Sequence, residues 1–216
     1  MGTLFTQEDI MKTLDVLYEK TLQGLGAVSP PVSELANDYL KVNSNIDTAT
    51  RLMHAAQIAK CTTSGFVSGL GGIIALPVTL AAIPVNITSV LYVQMRMIAC
   101  TAHMAGYDLK SDQVQTFVYA CLAGISVNEL TKKFGIKFGE KMATASINKI
   151  PGKVLTQINQ KVGFRLITKN GEKGLVNLGK MVPLVGAFIG GGVDLAETKI
   201  IADRAYEMFT KHKIKK

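Results

Sequence analysis

Between residues 61 and 95 the chain carries no charged side chain, and that interval contains "GLGGIIALPVTLAAIPVN", residues 69–86. An uncharged run of this length is a membrane span, a buried core or an apolar surface that meets lipid. A spanning helix needs about 20 predominantly apolar residues. Pro77 and Pro84 each lack a backbone donor and clash with the preceding helical turn, so residues 65–76 give only twelve positions before the first break. Residues 181–192, "MVPLVGAFIGGG", are of the same length and character. Both segments are expected to form broken apolar hairpins, not spans, with small residues that permit close helix packing.

The flanking sequence is helical in pattern. Ile10, Leu14, Leu17 and Leu25 recur near helical spacing behind a capping box at Thr6 and Asp9. A turn at Pro30-Pro31 precedes a short helix expected to be capped by Ser33, and a third helix spans about 47–60 with Leu52, Ala55, Ala56 and Ala59 on its inner face. "VNITSVLYVQMRMIACTAHMAGYD" reads as a long helix ended by Gly106, and Ser111 and Asp112 cap "QVQTFVYACLAGISV". Two basic, glycine-punctuated helices follow, the first running to Pro151-Gly152 and the second to about Asn170-Gly171. Strand alternation is missing throughout. The expected fold is an all-α, compact multi-helix bundle with two Gly/Pro-broken apolar hairpins. It forms one domain over 1–216: N-terminal amphipathic helices at 1–45, a core at 46–209 and a basic tail at 210–216.

Charge is distributed unevenly. Of the 24 Lys and Arg residues, eleven fall within 131–180 beside two acids, Glu140 and Glu172, and four more lie in the last six residues, "KHKIKK". Clustering of this kind builds one cationic face suited to anionic headgroups or an acidic partner. Lys132, Lys133, Lys137, Lys141, Lys153, Lys161 and Arg165 are its expected membrane-facing members. Few aromatics accompany them, and no nucleic-acid docking motif is present, so nucleic acid is not an expected partner. The first residues carry Glu8, Asp9 and Asp15 on a helical pattern, which argues against a secretory signal. The three cysteines, Cys61, Cys100 and Cys121, are odd in number and set among apolar or small residues, as expected of core thiols in a reducing compartment.

Motifs for chemistry are sparse. "GLVNLGKM" at 174–181 has the spacing of a phosphate loop but ends in Met where Mg²⁺ needs a hydroxyl, and no strand precedes it. Cys100 and His103, with His54 and Cys61, do not have the close Cys-x-x-Cys spacing of a metal site, and neither metal nor cofactor is expected. His103 beside Cys100, with Asp108 a turn later, is the least poor nucleophile–base arrangement. More informative are polar residues in apolar surroundings. Shifting the chain by 108 residues aligns Val85-Asn86-Ile87 with Val193-Asp194-Leu195, and Asn86, Gln94, Arg96 and Asp194 are the candidate polar floor of an apolar ligand pocket. A buried charge needs a partner, and Asp194 is the carboxylate expected for Arg96.

"GFVSGLGGIIALPVTLAAIPVN", "MRMIACTAHMAGYDLKSDQVQTFVYACLAG", "KVGFRLITKNGEKGLVNLGK" and "PLVGAFIGGGVD", which together cover most of 50–205, resemble the EcsC family of bacterial proteins, named after a protein encoded beside an ABC transporter. The resemblance implies a helical fold, bacterial origin and a membrane-proximal setting. It carries no catalytic residue to this chain. The expected function is that of a cytoplasmic protein peripheral to the inner membrane, binding an anionic lipid surface and a lipid-like apolar ligand. The alternative is an interaction module that docks a membrane or transporter partner, and an enzyme acting on lipid or envelope substrates ranks third.

Overall fold

The computed structural model describes residues 6–62, 85–136, 147, 149–168 and 195–211. Among them are eight α-helices and no strand, an all-α compact bundle as the periodicity predicted. The helices are α1 Gln7–Gln23, α2 Val32–Val42, α3 Ile46–Thr62, α4 Val85–Met104, α5 Asp112–Leu122, α6 Val127–Phe134, α7 Gly152–Thr168 and α8 Leu195–Ala205. The last continues into a π-helical turn, Tyr206–Thr210. Both proposed apolar hairpins lie outside the described residues.

The ends of the helices follow from local chemistry. Thr6 and Asp9 form the capping box, with Thr6 Oγ1 accepting from the Asp9 N–H at 3.1 Å and Asp9 Oδ2 accepting from the Thr6 N–H at 2.9 Å. Gly24 closes α1 at φ 80°, and a Cβ there would lie 2.5 Å from the Ser29 carbonyl oxygen, so only glycine fits. Leu25 therefore falls beyond the helix that its spacing seemed to extend. Helix α2 starts one residue before the expected cap. Pro31 takes the cap position, its carbonyl accepting from Glu34 and Leu35 N–H, and Ser33 sits inside the first turn. Ser111 caps α5 as expected, its hydroxyl accepting from the Val114 N–H at 3.2 Å. The segment read as one helix through Val127 is broken after Leu122, and Ser126 caps a new helix whose C-terminal Gly135 is left-handed.

Helix α4 is the axis of the bundle. Every residue over 88–102 is buried, because α1, α2, α3, α5 and α8 all pack against it. A helix that is mostly apolar on every side is suited to that place. Its hydroxyls and those of its neighbours are tied where they are covered: Ser29 Oγ and Tyr92 Oη lie 2.8 Å apart, and Tyr18 Oη donates to the Leu109 carbonyl at 2.8 Å. Edge-on ring pairs, Tyr18–Tyr119 and Tyr107–Phe209, join α1 to α5 and the α4–α5 connection to the π turn.

Helix α3 turns the opposite way from the sequence expectation. Leu52 is 49% exposed and Ala55 and Ala59 are exposed, whereas Ala49, Thr50, Met53, His54, Gln57 and Cys61 face inward. Both stripes contain apolar residues, so hydropathy alone leaves the choice open. Alanines offer little area to bury, whereas Met53 offers far more, and the inward His54 meets the Thr101 hydroxyl on α4.

Candidate functional site

The inward face of α3 and the facing side of α4 enclose the most polar part of the core. His54 Nε2 lies 2.7 Å from Thr101 Oγ1, and the Thr101 hydroxyl donates its single proton to the Met97 carbonyl at 2.9 Å. His54 Nε2 must therefore carry the hydrogen in that pair. Burial, aided by the Arg51 charge, lowers the His54 pKa to about 4, so the ring is neutral at physiological pH. Six residues further along α3, Lys60 is held below its ordinary range by burial and then by the charge of Arg96. The 54–101 pair joins α3 to α4, which pack against one another. Gln57 lies between His54 and Lys60 both along and around α3.

Of the four predicted pocket residues, two are described in full. Gln94 is buried, and its Nε2 donates to Thr198 Oγ1 of α8 at 3.3 Å. Arg96 is 4% exposed and its Nη1 has no hydrogen-bond partner. Gln94 and Thr101 are seven residues apart and share one stripe of α4; Arg96, Cys100 and His103 share another. Asn86 lies in the first turn of α4, with its side chain outside the described residues, and Asp194 lies wholly outside them. Gln57, absent from the predicted set, is 1% exposed with Nε2 unpartnered. The signal that could have found it is the Thr50, His54, Gln57 spacing, a polar stripe on a helix otherwise rich in alanine.

In the nucleophile–base candidate the thiol is the unfavourable member. Cys100 is completely buried, and burial, partly offset by Arg96, pushes its thiol up to about 12, which leaves no useful thiolate at neutral pH. His103 and Asp108 do share a cleft of about 260 Å³ with Tyr107 and Lys110. Cys61 and Cys121 are likewise buried and unpaired. Among the described residues, no group of three or more His, Cys, Asp or Glu side chains gathers as metal ligands would. A second cleft of about 510 Å³ opens between α1, α5 and α7, where Asp15 Oδ1 accepts from Tyr119 Oη at 2.7 Å and from Gln115 Nε2 at 3.0 Å.

The cationic segment divides into two parts. Lys132 and Lys133 on α6 and Lys153 on α7 are exposed. Lys161 and Arg165, read from sequence as surface cations, instead turn to Glu129: Lys161 Nζ bonds Glu129 Oε1, and Arg165 Nη1 bonds Oε2 at 3.1 Å. Burial alone would raise the Glu129 pKa, but the Lys161 hydrogen bond and the Arg165 and Lys161 charges outweigh it and hold the carboxyl below its ordinary range. Lys133 joins the group at 3.8 Å, and Lys161 also lies over the Phe134 ring at 5.9 Å from its centroid. Phe164, one residue before Arg165, is 56% exposed. Lys137 and Lys141 lie outside the described residues. No described helix is long and apolar enough to cross a membrane. No protein-family model, curated protein or solved structure matches the chain.

Proposed function

We propose that this chain is a membrane-associated helical protein of the EcsC kind, resting on the anionic inner surface of a bacterial membrane through its α6–α7 face and holding a lipid-like ligand against α4. The observation that carries the reading is the exposed Phe164 on the same helix pair as exposed Lys132, Lys133 and Lys153. A half-exposed aromatic ring on a helix that also carries an exposed lysine gains by entering the headgroup region. Each well-placed cation adds about 1 kcal/mol of attraction to an anionic leaflet. Glu129 supports the same surface by fastening α6 to α7 through Lys161 and Arg165, which fixes the exposed cations on one platform.

Flotation with anionic and neutral vesicles tests it. Binding is expected to anionic vesicles alone, to weaken with salt, and to fall about fivefold or more for Phe164→Ala or for Lys132→Glu with Lys133→Glu. Equal failure to float with either vesicle overturns the proposal. A second reading, docking to a membrane-protein partner, is favoured by the outward Leu52, Ala55 and Ala59 stripe and by Ile200 on α8, which is 48% exposed. A complex that survives in detergent and is lost in Leu52→Lys, without vesicle binding, would select it.

A further inference from the structure

We propose that Arg96 and Gln57 form a buried oxyanion site between α3 and α4, taking a phosphate group from a phosphomonoester headgroup or from free phosphate. Seven buried side-chain atoms among the described residues have no hydrogen-bond partner: Thr21 Oγ1, Thr50 Oγ1, Gln57 Nε2, Arg96 Nη1, Asn159 Oδ1, Arg204 Nε and Thr210 Oγ1. A threonine hydroxyl can rotate, Asn159 offers an acceptor, and Arg204 already bonds Glu207 through Nη1 at 3.4 Å. That leaves two N–H donors, Gln57 Nε2 and Arg96 Nη1, on residues 1% and 4% exposed. They sit on facing helices that pack together and are joined at His54 and Thr101.

The chemistry of this interval is one-sided. Arg96 offers only donors, and the unpartnered atom of Gln57 is a donor. Burying such groups with no acceptor costs more than leaving them in water, and more for the charged one. An acceptor-rich anion removes that cost. A guanidinium presents a planar fork that matches two oxygens of a phosphate, and the amide of Gln57 would supply a bond from the other helix. Met53 on α3 and Met97 and Ile98 on α4 are fully buried, so water competes weakly between these helices. The site deepens the proposed lipid-ligand reading and rests on it only for the source of the anion.

The test uses the full chain, dialysed free of phosphate, and follows thermal unfolding at constant ionic strength with two probes, inorganic phosphate and monomeric dihexanoyl phosphatidic acid. Either probe is expected to raise the midpoint of the wild type in proportion to log concentration. Arg96→Met is expected to weaken the apparent affinity by about tenfold or more. Gln57→Glu places a carboxylate beside Arg96, so it should raise the midpoint without any probe and abolish the response. A response to the phosphatidic acid alone identifies a lipid headgroup, and a response to both supports the shared oxyanion chemistry. A wild type indifferent to both probes overturns the proposal, as does an unchanged response in Arg96→Met. If only Asp194→Asn responds to phosphate, the Asp194 carboxylate occupies the site in the wild type and the proposal fails. Both probes are monomeric, so a response here alongside failed vesicle flotation separates this site from the membrane reading.

Discussion

Cations in two regions of this chain are handled in opposite ways. On α6–α7, Lys133, Lys161 and Arg165 gather around Glu129, each within reach of a carboxylate that remains 21% exposed. Between α3 and α4, Arg96 is 4% exposed and its Nη1 has no hydrogen-bond partner. The internal counter-ion is thus provided where water would have screened the charges anyway, and it is missing, among the described residues, where desolvation makes it most needed. A fold that buries a cation in this way either stores instability or reserves the place for something else. The first region is a brace, and the second has the chemistry of a receptor.

The comparison depends on which face of α3 looks inward, so the largest expected effect tests that orientation. Met53→Ala should cost about 2–5 kcal/mol, because it removes a fully buried side chain and leaves a cavity. Leu52→Ala, on the face that sequence periodicity favours, should change stability by less than about 0.5 kcal/mol. Denaturant unfolding of the two variants checks both, and reversed magnitudes would place the receptor stripe on the outside.

A second test probes the dryness of the same interval. His54 has a folded pKa of about 4 against an ordinary 6.5, so above pH 6.5 both folded and unfolded forms are neutral and its contribution is flat. As the pH falls from 6.5 towards 4 the unfolded chain takes up a proton that the folded one refuses. Stability should then drop by up to about 3 kcal/mol across that window and level off below it. His54→Gln, which keeps a donor for Thr101, should flatten the profile between pH 6.5 and 4. A wild-type profile already flat there would mean that water reaches the ring.

How far these features are legible in sequence depends on how local their causes are. The Thr6–Asp9 box, the Ser111 cap and the Gly106 stop are written within four residues and are found where expected. Pro31 displaced Ser33 because a proline carbonyl closes the first turn without any side chain, which a search for hydroxyl caps overlooks. The orientation of α3 failed for a non-local reason: its two stripes differ little in hydropathy, and the decision was made by Thr101 on another helix, 47 residues from His54. Gln94 and Arg96 were legible because polar residues on an otherwise apolar helix stand out. Gln57 was legible only through its spacing from Thr50 and His54, since a lone glutamine on a helix with charged ends resembles any solvated position. The fate of Lys161 and Arg165 depended on Glu129, which lies 32 and 36 residues away on a separate helix, and charge counting treats such residues alike whether they face water or a carboxylate.

The smallest effects carry the sharpest form of the comparison, because they should have opposite signs. In phosphate-free buffer, Arg96→Met removes a buried charge and replaces it with an apolar chain of similar length, so stability should rise by about 1–2 kcal/mol. Glu129→Gln removes the one carboxylate that three cations share, and stability should fall by about 1 kcal/mol, discounted for the partial exposure of the group. The second loss has a pH signature. A carboxyl whose pKa is lowered by folding stabilises the protein above its ordinary value of 4.5, and that share disappears as the pH falls through the lowered folded value. The wild type and Glu129→Gln should therefore converge in acid, whereas Arg96→Met should keep its advantage there, because its effect does not run through Glu129. Urea titrations at pH 7 and pH 3 would measure both differences. If Arg96→Met is destabilised at pH 7 like Glu129→Gln, then Arg96 already has an anionic partner within the chain, and the two regions follow one rule instead of two.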